Sequence, residues 1–228
     1  MNIKIANKRY NIPTKHTTLL GTFDYIKQNI NQSLTYNSGC KSGVCGCCAV
    51  VVNGVESLAC SSFVKDGDNI EPLKNKKLLR DLVVEPIQKD MLKTTKSYLI
   101  EKSDENITTE DEKAIDILSN CILCSSCQSS CPVYATNPNF IAPYIYVRVL
   151  RYINDKKEKN KSSRYETIQK DGIYDCTLCG NCDIVCPENI PIKDSINILR
   201  NKSVQAGYEA KFVNSFINED SFGFNPNF

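Results

Sequence analysis

Twelve of the chain's thirteen cysteines fall into three spaced groups, and that spacing limits the fold more than any other feature. The first group is Cys40, Cys45, Cys48 and Cys60, a C-x4-C-x2-C run with a distant fourth member. The second is Cys121, Cys124, Cys127 and Cys131-Pro132; the third is Cys176, Cys179, Cys182 and Cys186-Pro187. Both of these read C-x2-C-x2-C-x3-C-P. Thiols at this density in 228 residues serve as disulfides or as metal ligands. Disulfide scaffolds are usually short exported domains, and the start MNIKIANKRY carries no apolar signal core behind its lysines. No apolar run, that of Cys48 to Val52 included, approaches the length of a bilayer span. Reduced, metal-ligating thiols are therefore the expectation.

The first spacing is that of plant-type 2Fe–2S sites. Such a loop wraps closely round a flat anionic cluster, so backbone N–H groups must point at sulfur. Gly39, Gly43 and Gly46 permit that approach because they lack a Cβ. Cys47 has no place in the pattern and is expected to be a small buried thiol beside the site. The other two runs are those of bacterial ferredoxins, in which three cysteines hold one cubane and the fourth ligates the other cluster. This assigns Cys121, Cys124, Cys127 and Cys186 to one 4Fe–4S cluster. A second 4Fe–4S cluster takes Cys131, Cys176, Cys179 and Cys182, with a 3Fe–4S cluster as the alternative there. Zinc ribbons also use CxxC, but as separated pairs rather than tight triplets followed by a fourth cysteine and proline. His16, the single histidine, lies far in sequence from every cysteine and is expected in an exposed loop. With one histidine, a Rieske centre and a Cys2His2 finger are both excluded.

The rest of the chain fits around these groups as an α+β protein in two domains. Residues 1–80 are expected to form a β-grasp 2Fe–2S ferredoxin domain. Ile3 and Ile5 alternate with Lys4, and Asn7-Lys8 turns the chain into Tyr10 and Ile12. Thr17 or Thr18 can cap a helix carrying Leu19, Phe23, Ile26 and Ile30. The Asn53-Gly54 pair after Val50-Val51-Val52 suits a type I′ hairpin turn. Residues 81–228 are expected to form a helical domain that contains both cubane runs and ends in a Phe-rich tail. Helices open at Pro86 (with Ile87, Met91 and Tyr98), at Pro143 and near Pro191. Between the last two, Asp155 to Arg164 is a charge run expected to be a solvated loop. The net charge of +2 points to no polyanionic partner such as nucleic acid.

A plant-type 2Fe–2S domain followed by two bacterial-type runs resembles the iron–sulfur subunit of succinate dehydrogenase and fumarate reductase. Leu79-Arg80-Asp81-Leu82-Val83-Val84 is similar to that family's junction segment. Cys121-Ile122-Leu123-Cys124 and Asn137-Pro138 also look like family stretches. The resemblance implies a subunit passing single electrons between an FAD-containing dicarboxylate oxidoreductase subunit and a membrane-side partner. It also implies a peripheral place on the membrane, held there by partner subunits, most simply on the cytoplasmic face, with co-export alongside a signal-bearing partner as the alternative. No GxGxxG or P-loop is present, so no catalytic residue is expected on this chain. Three positions depart from the common pattern. Cys179 stands where most members lack a cysteine and hold a 3Fe–4S cluster. Thr136 and Thr177 replace the usual tryptophan and histidine near the quinone. The chain thus looks more like a divergent branch whose membrane-side partner is a cysteine-rich, heterodisulfide-reductase-like subunit instead of a quinone-reactive one. Two other readings remain. One is a thiol-dependent fumarate reductase or a related complex oxidising an acid such as glycolate. The other is a free polyferredoxin.

Overall fold

The computed structural model describes residues 1–13, 17–87, 92–93, 95–137, 139–169 and 172–209. His16, Met91, Pro138 and the Phe-rich tail lie outside them. The first unit begins with the expected hairpin, β1 (Asn2–Ile5) against β2 (Lys8–Asn11), with Ile3 opposite Tyr10. Its turn falls on Ala6-Asn7, both at positive φ, because Lys8 already pairs with Ile5. This is one residue earlier than the pattern suggests. Thr18 caps α1 (Leu19–Asn29), its Oγ1 accepting from the Gly21 N–H at 3.1 Å. Leu19, Phe23 and Ile26 are buried, whereas Ile30 is the C-cap and is half exposed.

The strands β3 (Ala49–Val52) and β4 (Val55–Leu58) form the second hairpin. Asn53 and Gly54 both take positive φ, as a type I′ turn requires. The strand β5 (Asn69–Glu71) lies parallel to β1 and antiparallel to β3, giving the order β2-β1-β5-β3-β4. The core beneath this sheet contains Ile3, Ile5, Phe23, Ile26, Val51 and Ile70. A short pair, β6 (Leu78–Arg80) and β7 (Val83–Val84), follows, and Leu82 and Val84 pack on the same core.

The second unit is helical. Its elements are α2 (Thr109–Lys113), α3 (Asp116–Ser119), α4 (Ser126–Ser129), α5 (Pro132–Thr136), α6 (Pro143–Asn154), α7 (Ser162–Gln169), α8 (Asn181–Ile184) and α9 (Ile192–Gln205). The helix α6 buries Ile145, Val149 and Ile153, α9 buries Ile192, Ile196 and Leu199, and the two helices pack together. Both stripes follow the helical spacing read from the sequence.

Two expectations in this part are corrected. The helix expected from Pro86 does not reach Tyr98: Lys96 turns at φ 50 and Tyr98 is 60% exposed. The charge run is not a solvated loop, because Asp155, Glu158 and Arg164 are buried. Glu158 accepts the N–H groups of Ile100, Glu101 and Asn160, and Arg164 donates to Glu158 and to the carbonyls of Thr95, Lys96 and Tyr98. Two charges of opposite sign have been taken out of water to fasten residues 95–101 to the helical unit.

The two units meet through polar contacts. Ser129 Oγ donates to Glu56 Oε1 at 2.7 Å and accepts from the Lys74 N–H at 2.8 Å. Asn75 Nδ2 donates to the carbonyls of Gln128, Ser129 and Cys131. This junction fixes the first cysteine loop relative to the other two groups.

Candidate metal centres

Residues 37–48 and the turn after β4 bring the first group together. Cys40 and Cys45 are exposed at the rim; Cys48 and Cys60 are buried beneath it. Backbone N–H groups point at sulfur as a wrapped anionic centre requires. Cys40 donates to Cys45 Sγ at 3.4 Å, Ser42 to Cys40 Sγ at 3.4 Å, and Gly43 to Cys60 Sγ at 3.2 Å. A Cβ at Gly39 would stand 2.8 Å from Cys47 Sγ and 2.9 Å from Cys45 Sγ, so a side chain there would push on both sulfurs. Hydrogen bonds from Ser42 lower the Cys40 thiol to about 6, whereas burial raises Cys48 to about 11. Four thiols in an N–H-lined loop fit a 2Fe–2S group.

Cys47 differs from its expectation. It is exposed rather than buried, and its Sγ lies 3.3 Å from Cys45 Sγ.

The second and third groups have matching backbones. In Cys121–Cys127, Leu123 and Ser125 take positive φ of 57 and 67; in Cys176–Cys182, Leu178 and Gly180 take 55 and 82. Left-handed backbone at a non-glycine residue costs about 1–2 kcal/mol. Three of these four residues have side chains, so this loop geometry is maintained against that cost. Cys121, Cys124, Cys127 and Cys186 line one cavity together with Tyr144 and Ile190. At the third run, Cys179 acts on Cys131, and both Cys131 and Cys179 act on Cys176. Cys186 of the third run thus stands with the first three cysteines of the second, as α4 packs against α8.

Burial pushes the thiols of Cys121, Cys127, Cys131, Cys176, Cys182 and Cys186 upward. Such groups need a bound cation to ionise, and coordination deprotonates a thiol outright. Among the described residues no three Cys, His, Asp or Glu side chains converge closely enough for a single metal ion. The all-thiol donor sets fit cubane groups.

The loops of the first and second groups touch. A Cβ at Gly46 would lie 2.7 Å from Cys124 Cβ and 2.9 Å from its Cα. That neighbour is backbone and cannot rotate away, and Gly46 itself has φ +68. Gly46→Ala is therefore expected to destabilise the junction by about 2–4 kcal/mol, from left-handed strain plus overpacking. Denaturant titration followed by circular dichroism reads this; an unchanged midpoint would show the contact to be loose.

Fold and sites together define an iron–sulfur electron-transfer protein. A family model described as a 2Fe–2S iron–sulfur cluster binding domain matches residues 3–93, and a 4Fe–4S dicluster domain model matches residues 117–190. The fumarate reductase iron–sulfur subunit of Escherichia coli O6:H1 is 35% identical over 193 residues, 79% of each chain. One chain of the fumarate reductase (CoM/CoB) of Methanothermobacter marburgensis is 32% identical over 203 residues, covering 87% of this chain and 41% of that one. A chain of the solved Mycobacterium smegmatis Sdh1 complex in the apo form has the same fold. Its TM-score is 0.79 at 20% identity, covering 91% of this chain and 97% of that one. The chain belongs to the succinate dehydrogenase/fumarate reductase iron–sulfur subunit family.

Proposed function

We propose that this chain is the electron-transfer subunit of a succinate dehydrogenase or fumarate reductase type of complex, with three centres in line. Cys40, Cys45, Cys48 and Cys60 hold a 2Fe–2S cluster; Cys121, Cys124, Cys127 and Cys186 hold a 4Fe–4S cluster; Cys131, Cys176, Cys179 and Cys182 hold a second 4Fe–4S cluster. The observation that carries this reading is the continuity of the three cysteine sets. Gly46 of the first loop lies against Cys124 of the second set, Cys186 lines one cavity with Cys121, Cys124 and Cys127, and Cys179 acts on Cys131. When bound, such clusters supply one-electron redox centres whose potentials depend on charge, hydrogen bonds to sulfur and exposure. This chain's residues supply the rest: thiolates as ligands, N–H groups of Ser42 and Gly43 directed at sulfur, and glycines that bring the loops close.

An FAD-containing partner belongs at the 2Fe–2S end, where Val44 is 65% exposed, because succinate and fumarate differ by two electrons. A membrane-side partner belongs at the other end, where Cys179 and Ile184 are exposed. No helix among the described residues is long and apolar enough to cross a membrane; in this reading partner subunits hold the chain at the membrane, on the cytoplasmic face. Cys179 and the likeness to the CoM/CoB-named relative favour a second form of this reading. In it the membrane-side partner is cysteine-rich and exchanges electrons with thiols instead of quinone.

Anaerobic isolation of the native chain with whatever accompanies it tests the proposal. About ten irons per chain with matching sulfide and no stoichiometric zinc are expected. A flavoprotein should accompany the chain, with dye-linked succinate oxidation or thiol-linked fumarate reduction. Zinc in place of iron, or a soluble monomer inactive in both assays, would overturn it.

A further inference from the structure

The cleft of about 280 Å³ between the first cysteine loop and the second set is lined by Cys45, Gly46, Cys124 and Ser125, and among the described residues one cation enters it. That cation is Lys76, half-buried, whose Nζ donates to Ser125 Oγ at 3.2 Å. Ser125 is 3% exposed and lies between Cys124 and Cys127, in the left-handed conformation that shapes the cage. The lysine is thus anchored to the backbone turn of the ligand loop, and Cys124 and Cys127 both act on its charge. Glu85 is the one carboxylate among the described residues lining the cleft. It is exposed, so water screens it more than it screens Lys76. Glu85 acts on Lys76 ahead of either cysteine, so it offsets part, and being screened not all, of the ammonium's field at the sulfurs.

We infer that Lys76 is a positioning residue for electron flow, its anchored ammonium raising the reduction potential of the centre held by Cys121, Cys124, Cys127 and Cys186. Reduction adds one negative charge to that cage, and a fixed cation beside it stabilises the reduced form more than the oxidised one. No proton or bond change is involved. Arg148 acts on Cys121 and Arg200 on Cys176, but neither lines this cleft. Among the described residues lining this cleft, Lys76 is the one cation that biases the second centre from the side that faces the first. This inference rests on the ligand assignment proposed above, which the first measurement below tests separately.

The experiment is a potentiometric titration, followed by EPR, of the full chain carrying Lys76→Met, Lys76→Arg or Ser125→Ala. Iron and sulfide are counted first, and a parent chain without cubane iron would overturn the ligand assignment and this inference with it. With clusters present, Lys76→Met should move one of the two cubane steps to lower potential. The shift should reduce the ratio of reduced to oxidised centre about tenfold at fixed poise, or about 59 mV for one electron. The other cubane step should stay in place. Lys76→Arg should keep the parent value, and Ser125→Ala should shift the same step downward by less. If Lys76→Met fails to assemble clusters, Lys76→Gln and Ser125→Ala carry the same expectation. Unmoved steps in the charge-removing variants would overturn the inference, as would an equal shift in Lys76→Arg, which would indicate packing rather than charge.

Discussion

Replacing Cys179 with serine or alanine is expected to produce a 3Fe–4S EPR signal in the oxidised protein that the parent lacks. Iron should fall by about one per chain, since one cubane corner loses its thiolate. Leu178 and Gly180 flank Cys179 in the left-handed backbone that Leu123 and Ser125 adopt around Cys124. The third loop is therefore built like the second, and the cysteine at its middle position stands in the same local geometry. Cys179 is also the exposed member of its run, so the corner it serves is the one most open to solvent or to a partner. Losing that ligand should free an iron without collapsing the rest of the cage. A parent protein that already shows the full 3Fe–4S signal, with no oxidative damage, would refute the role of Cys179.

The ligand chemistry is readable in the sequence because it is local. Three cysteines two residues apart can wind round one cubane only in a tight loop, and C-x4-C-x2-C imposes its own loop for the same reason. The hairpins and helices are readable from alternation, caps and helical spacing, down to Thr18 and the Asn53-Gly54 turn. The approach between units is not. Nothing in the string places Gly46 against Cys124, because that contact arises only when Glu56, Lys74 and Asn75 dock on α4 and the turn after it. Cys47 escapes the pattern for a related reason. A small thiol next to ligands reads as buried, yet the loop turns it outward over Cys45. Composition misleads most clearly at Asp155–Arg164. A dense charge run ordinarily marks a solvated face, and here two of its charges pair in the interior.

That buried pair sets the last expectation. Arg164→Met should destabilise the chain by about 3–5 kcal/mol, the usual range for removing one partner of a buried ion pair. Glu158→Gln should be milder, by about 1–3 kcal/mol, because each side keeps other partners. Gln can still accept from the N–H groups that Glu158 serves, and Arg164 keeps three backbone carbonyls and the Tyr152 ring 4.1 Å away. In Arg164→Met, Glu158 keeps its backbone N–H donors, but its carboxylate is left buried without its cation. The pH dependence follows. Burial alone would raise the Glu158 pKa, but the Ile100 N–H, Arg164 and the Glu101 N–H together hold it below the ordinary 4.5. A depressed folded pKa gives stability that is complete above the unfolded value and is lost as pH falls through the folded one. The parent should therefore keep this contribution down to about pH 5 and lose it below about 4.5, whereas Arg164→Met should begin to gain from protonation at higher pH. Anaerobic denaturant titrations at pH 7 and 5, with limited proteolysis at Lys96 and Lys102 to detect release of the 95–101 segment, measure both effects. If Arg164→Met lies within about 1 kcal/mol of the parent and its 95–101 segment remains protected, the pair does not clamp this segment, and residues 95–101 are held by packing alone.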